Sequence, residues 1–362
     1  MSRREVVIVG GGPAGLTAAR FSAERGADTL LLEARRDFTE NLRCGEFIPS
    51  LEQMKELFPR ADIDGILDEE MISPCISRRI REISVFSPRG REYSIDFDGI
   101  VLERRIFEKE LAISASKAGA EILLGKRVRE VIPERRVLKI GSEEISFEVL
   151  ILADGPFSLA RKLGFPTPSE LTPTVQYEVP GKKDRVEMYL GNKIAPGGYA
   201  WVIPKSNSIN IGLGVRWKKN MMMNFLEKFR ERMCGNISPV YFTSWVVPSG
   251  GPIQRTCNDF CLVVGDAAGQ VIPTNGGGIP TSLICGRIAG EIASRKIRGE
   301  KDLVEYEKEW RRQIGRELEN SLRARVLIDR FMRSDLLMET LMAVFGSSGV
   351  EKVLECKPIG GA

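Results

Sequence analysis

The chain has no histidine among its 362 residues. The commonest general base is therefore missing, and with it the serine–histidine–aspartate triad and most catalytic zinc centres. Proton transfer falls to carboxylates, cysteine, tyrosine, lysine, water or a bound cofactor. Cysteine is scarce: Cys44, Cys75, Cys234, Cys257, Cys261, Cys285 and Cys356 form an odd set without a C-x-x-C pair. That is no disulfide framework, and a metal or iron–sulfur centre would have to be assembled around Cys257 and Cys261 from distant partners; none is expected. No apolar run has the length and purity of a membrane span, and the short amino-terminal one is consumed by a strand. Neither a transmembrane segment nor a signal peptide is expected, and the location expected is cytoplasmic. The charge excess is small, 53 Lys and Arg against 49 Asp and Glu, with the signs interleaved. No nucleic-acid footprint is present.

What the chain does contain begins with VVIVGGGPAGLTAARFSAERGADTLLLE. Residues 6–9 are an apolar, β-branched run of the kind that makes a buried parallel strand. Gly10, Gly12 and Gly15 follow in G-x-G-x-x-G spacing, and a helical pattern runs from about Ala14 to Arg25. Gly26 falls where a helix-ending glycine belongs. A second strand, residues 29–32, ends on Glu33. Gly10 permits the tight turn, Gly12 lets backbone approach a pyrophosphate, and Gly15 lets helix and strand pack. Unpaired N–H groups at the helix start suit phosphates, and Glu33 suits an adenosine ribose. This module alone binds a dinucleotide, either FAD or NAD.

Composition, 43% hydrophobic and 28% charged, excludes disorder, and the length predicts two domains. After Glu33 comes RCGE, residues 43–46. There Arg43 would lower the Cys44 thiol pKa while Glu46 opposes it; a local loop with a half-buried thiol is the plain alternative. Alternating segments at 83–86 and 93–97 flank SPRGRE and predict a hairpin. The αβ pattern resumes with a helix over 105–118 and a strand over 121–124. VLILADGPFSLARKLG then delivers Asp154 and Gly155 at a strand end, with a helix over 158–163. Residues 171–257 are rich in short strands, with one helix over 221–233, which predicts an antiparallel sheet. Within it Tyr199 and Trp201 share one face of a strand; they line a flat or apolar pocket or serve as ordinary core. A further strand–turn–helix presents Gly265, Asp266, Ala267, Pro273, Gly276, Gly277, Gly278 and Ile279. A second glycine-rich turn so far from the first implies a long ligand bridging both, and FAD fits better than NAD. The carboxy-terminal stretch is helical and methionine-rich from 325 to 345; it caps the core, forms a homo-oligomer interface or covers an entrance.

Three motifs together, GGGPAG at 10–15, ADGPFSLAR at 153–161 and GDAAGQVIPTNGGGI at 265–279, resemble the flavin-dependent hydroxylase-type fold. Geranylgeranyl reductases also use that fold. RCGE at 43–46 and GGYAWVIP at 197–204 are similar to motifs of the geranylgeranyl reductase family, including archaeal enzymes that saturate isoprenoid chains of membrane lipids. The resemblance covers residues 1–300. It implies an α/β architecture: a Rossmann-like FAD-binding domain of the p-hydroxybenzoate hydroxylase type, an inserted antiparallel-sheet substrate domain and a helical C-terminus. The expected division is 1–75, 99–170 and 259–300 for the FAD-binding domain. The substrate domain takes 76–98 and 171–258, and the helical region 301–362.

The resemblance also implies noncovalent FAD, and reduction of isolated C=C bonds in geranylgeranyl chains of a prenylated lipid or a prenyl diphosphate. Hydride would come from flavin N5 and a proton from Cys44, Tyr199 or water, with Glu46 orienting and Trp201 lining the pocket. An external electron donor is implied: ferredoxin, reduced coenzyme F420 or NAD(P)H. A lipid substrate would suit peripheral contact at the inner face of the cell membrane. Arg104, three residues before Phe107, matches a cofactor-side arginine, and Asp266 the ribityl or pyrophosphate region. Arg43, Cys44, Gly45, Val128, Asp154 and Gly155 complete the cofactor-contacting set. Two other readings share the fold: an FAD monooxygenase of an aromatic substrate, and a noncatalytic flavoprotein.

Overall fold

The computed structural model describes residues 2–40 and 45–358. Two sheets organise them. The first runs in the order Glu121–Leu123, Thr29–Leu32, Ser2–Val9, Glu143–Leu152, Val137–Ile140, Glu130–Ile132. Strand Glu143–Leu152 forks: its first half pairs antiparallel with Val137–Ile140, and its last three residues pair parallel with Cys261–Val263. Val6, Val7 and Ile8 are fully buried: Val6 and Ile8 pack with Leu16, Ala18 and Leu283, and Val7, on the opposite face, with Leu138, Ile140 and Phe165. Burying each contributes about 1.5–3 kcal/mol, which explains an unbroken apolar run where a half-exposed strand would alternate. Parallel pairing brings the ends of four strands, at Val9, Leu32, Leu152 and Val263, to one edge of the sheet. Ligands of open parallel sheets bind at such an edge.

Helix Pro13–Ala23 and helix Ile279–Ile297 pack together against this sheet. They approach so closely that a Cβ on Gly286 would lie 2.5 Å from the Ala14 carbonyl oxygen, and one on Gly290 2.4 Å from that of Ala18. The first and third glycine-rich motifs are thereby brought side by side.

The second sheet has eight strands, in the order Tyr241–Pro248, Leu171–Pro180, Ser208–Gly214, Tyr199–Pro204, Val186–Leu190, Ile76–Phe86, Glu92–Leu102, Phe47–Pro49. Its pairings are antiparallel except for Val186–Leu190 beside Ile76–Phe86, which stitches the hairpin to the rest. The hairpin is longer than its alternating segments suggest, eleven residues in each strand. One sheet face is covered by helix Met222–Cys234 through Phe225, Leu226 and Phe229. The other faces the dinucleotide sheet across a cavity.

Three helical expectations change. The segment after Gly155 is only a tight 3₁₀ turn, Leu159–Leu163, ended by Gly164 in the left-handed region. The carboxy-terminal region expected to be helical from 301 onward is interrupted by a wide turn, Arg311–Gly315, between Val304–Trp310 and Arg316–Phe331. The methionine-rich stretch is split where the Ser334 side chain caps a new helix, Asp335–Leu354, which kinks at Gly346.

Candidate active site and FAD-binding cleft

A cavity of about 910 Å³ runs from the first glycine-rich loop, along the inner face of the second sheet, to the carboxy-terminal helices. Of the site residues expected from sequence, Gly10, Gly12, Pro13, Ala14 and Glu33 border its nucleotide end. Gly45, Glu46, Arg104, Val128, Asp154, Gly155, Tyr199, Trp201, Asp266, Pro273, Gly276–Gly278 and Ile279 border it further along. Gly15, Gly265 and Ala267 do not reach it. Gly15 stands behind the wall because its Cα faces the Gly10 carbonyl, where a Cβ would lie 1.9 Å away. Gly265 packs against Ala14, and Ala267 is buried in the core behind. Their contribution is to the packing of the wall. Arg43 and Cys44 lie outside the described residues.

At the nucleotide end the chain turns at Gly10 with φ +106°, which a side chain would strain. The Glu33 carboxylate accepts from the Gly11 N–H at 2.6 Å and the Arg35 N–H at 2.7 Å. Burial pushes its carboxyl up, but the Arg35 guanidinium and these amides win and hold it below the ordinary value. Arg35 continues to Glu108 at 2.8 Å, and Glu108 takes both Nε and Nη2 of Arg104 at 2.9 and 2.7 Å. Arg104 in turn opposes the effect of burial on Asp266, whose carboxyl burial pushes up to about 6. Glu33, Arg35, Glu108, Arg104 and Asp266 thus form a line of alternating charge joining the first motif to the third.

Glu108 and Arg35 were not singled out from sequence, though Arg104 and Glu108 stand at the helical i,i+4 spacing that signals such a pair. Gly11 was also passed over. Its Cβ would meet the Glu33 carboxylate at 2.8 Å, so only glycine leaves room for that hydrogen bond.

At the middle of the cavity, Glu46 has φ +65°, a conformation costly for a residue with a side chain. Its surroundings hold it there. Its carbonyl accepts from Leu102, and its carboxylate accepts from the Arg104 N–H at 3.2 Å and from Lys205 at 3.0 Å. Burial raises the Glu46 carboxyl, with Lys205 opposing. Burial lowers the Lys205 ammonium, but Glu46 and Glu103 outweigh it and hold it above an ordinary lysine. Tyr199 donates to the carbonyl of Asn275, tying the sheet to the loop before Gly276. Trp201 donates from Nε1 to Asn210 at 2.9 Å, and the two rings sit 5.8 Å apart. Lys205 and Asn210 carried no sequence motif, and their role comes from how neighbouring strands are placed, which a linear reading does not reveal. Asn275 lies inside the third motif, at 265–279, but was not singled out there.

Whether these residues suit a dinucleotide can be tested on Asp154. One carboxylate oxygen accepts from the Leu159 N–H at 2.8 Å, while the other is buried with no partner among the described residues. Burial raises this carboxyl. A Cβ on Gly12 would meet nothing within 4 Å. An unsatisfied acceptor and an open backbone on the same cavity are what a ligand rich in hydroxyls and phosphates requires, and the residues fit FAD.

Fold and site together define an FAD-dependent oxidoreductase. A digeranylgeranylglycerophospholipid reductase of Methanocaldococcus jannaschii is 36% identical over 98% of this chain and 95% of its own length. The chain belongs to the digeranylgeranylglycerophospholipid reductase family. The geranylgeranyl reductase catalytic domain model matches residues 171–243, and the pyridine nucleotide-disulphide oxidoreductase model matches residues 4–186. Among solved structures, a geranylgeranyl bacteriochlorophyll reductase-like protein from Thermoplasma acidophilum has a TM-score of 0.84 at 26% identity, covering 98% of this chain and 96% of that one. A flavin-dependent brominase shares the fold alone, with a TM-score of 0.73 at 17% identity over 98% of this chain and 94% of its own.

Proposed function

We propose that this protein saturates isolated C=C bonds in geranylgeranyl chains of membrane lipids or prenyl diphosphates. The observation that carries the reading is the continuity of one cavity. It is polar and charged beside Glu33 and Asp154, and it becomes a wall of Ile328, Met332, Leu341, Met342 and Val353 at the other end. A long apolar chain fits the second half, and methionine side chains adapt to its shape. When bound and reduced, FAD would supply the hydride.

The chain's own residues would do the rest. Glu33, Arg35, Arg104 and Asp154 hold the cofactor, and Tyr199 fixes the loop at Gly276–Gly278. Trp201 and the aliphatic wall orient the alkene and exclude water, since an unactivated alkene offers no carbonyl on which negative charge could rest. Charge that develops is carbocation-like, so proton delivery leads or accompanies hydride arrival. Cys44 is the donor we favour, two residues before Glu46 in the chain; Tyr199 already donates to Asn275. The donor role fails if Cys44→Ala binds FAD normally and keeps near-full turnover.

The reading is tested by incubating the protein anaerobically with dithionite and a detergent-dispersed geranylgeranylated lipid, then weighing the products. A gain of two hydrogens per double bond supports it. Flavin bands without any gain turn attention to oxygen and aromatic substrates. The electrons would come from ferredoxin, reduced F420 or NAD(P)H, which reconstitution with each donor separates.

A further inference from the structure

Helix Asp335–Leu354 is apolar on two sides. Inward, Met338, Leu341, Met342 and Phe345 line the cavity. Outward, Leu336, Leu337 and Val344 are 58, 48 and 76% exposed, and Phe345, itself a cavity residue, is 41% exposed and so stands at the rim. An amphipathic surface helix would place charge on that outer side. Here the exposed positions from 336 to 348 are Leu, Leu, Thr, Ala, Val, Phe, Ser and Ser, with no acidic residue. The acids of this stretch are turned inward and used: Asp335 accepts from Asn192, and Glu339 from the Arg89 N–H. The nearest exposed charges along the chain are all basic, Arg330 and Arg333 before this stretch and Lys352 after it, and none of them forms an ion pair among the described residues.

We propose that this outer face, with Arg330 and Arg333, docks on an anionic lipid bilayer and holds the cavity rim at Phe345 against it. The proposal deepens the prenyl-lipid reading and rests on it for its purpose. Apolar side chains flanked by unpaired cations suit the boundary between acyl chains and anionic headgroups, where burial and charge attraction add. No described helix is long and apolar enough to cross a membrane, so contact of these residues with lipid is contact with its surface. A chain leaving the bilayer beside Phe345 would meet Leu341 and Met342 next, without crossing water.

The test is sedimentation of the FAD-loaded protein with vesicles of phosphatidylcholine alone, or of phosphatidylcholine mixed with phosphatidylglycerol. Binding should require phosphatidylglycerol and weaken with salt. At roughly 1 kcal/mol for each basic residue near an anionic surface, Arg330→Gln and Arg333→Gln together should lower the partition coefficient about thirtyfold. Leu336→Ser with Val344→Ser should lower it about tenfold or more. None of these four side chains borders the cavity, so turnover of detergent-dispersed lipid should stay unchanged while turnover of vesicle-borne lipid falls. Wild-type protein that ignores anionic vesicles, or variants that bind as well as wild type, would overturn the proposal. So would a dimer in light scattering that Val344→Ser dissociates, since a second copy would then cover the face. Failure of turnover even in detergent counts against the functional reading and leaves the vesicle result to be judged separately.

Discussion

Replacing Glu108 by Gln tests the alternating-charge line at its centre. Its carboxylate is 4% exposed and receives three charge-assisted hydrogen bonds, two from Arg104 and one from Arg35. Each such bond contributes about 1.5–3 kcal/mol, and breaking a buried ion pair by removing one partner costs about 3–5 kcal/mol. The amide keeps one acceptor oxygen but turns an NH₂ towards a guanidinium. Arg35 is 19% exposed and can recover some hydration. The net expectation is a loss of about 2–3 kcal/mol in the unfolding free energy of the apoprotein. Both arginines also lose their fixed direction, so FAD should bind about tenfold more weakly or worse, about 1.4 kcal/mol. Urea unfolding read by tryptophan fluorescence gives the first number, and quenching of flavin fluorescence on titration gives the second. Glu108→Gln with stability within about 0.5 kcal/mol of wild type and unchanged FAD affinity would refute the reasoning. Tighter FAD binding would refute it too, by showing that Glu108 competes with the phosphates.

Asp266 gives a pH signature. Its folded carboxyl is pushed up to about 6 from a usual 3.8, so the native state binds more protons than the unfolded one between those values. Apoprotein stability should therefore fall as pH rises from 4 to 6, by up to about 3 kcal/mol from this group. Asp266→Asn should remove that part of the slope in urea midpoints measured across the range. Lys205→Met strands the Glu46 and Glu103 carboxylates and should destabilise by about 3 kcal/mol, measurable by urea unfolding; Lys205→Arg should recover part of it. Glu33→Lys should weaken FAD retention on desalting by more than tenfold while leaving the far-UV circular dichroism unchanged.

What could be read in the chain depended on whether the signal was local. The glycine spacing at 10–15, the acid closing strand Thr29–Leu32 and the glycine run at 276–278 are each confined to a few residues, and the cavity has all of them but Gly15 on its wall. Their meeting rests on Gly286 and Gly290, small residues in a helix whose importance emerges only when the partner helix is in place. The same holds for the charge line. Arg104 could be found by motif, but Glu108 and Arg35 acquire a role only through two elements meeting. The large sheet was legible as antiparallel from its run of short strands with a single helix, while the parallel seam between Val186–Leu190 and Ile76–Phe86 joins strands a hundred residues apart. The helical ends were least legible. Ser334 stops one helix and starts another inside a run whose apolar content alone suggests continuity.

The central claim is that electrons stored on FAD in this cleft are spent on a prenyl alkene. The most direct measurement is a single anaerobic turnover: protein reduced stoichiometrically, freed of excess dithionite and mixed with a geranylgeranylated glycerophospholipid. Flavin absorbance and lipid mass are then followed in the same samples. The account predicts that the oxidised flavin bands return only when lipid is added, with two hydrogens gained by the lipid for each flavin reoxidised. Reduced flavin that persists in the presence of lipid, with the lipid mass unchanged, would contradict it.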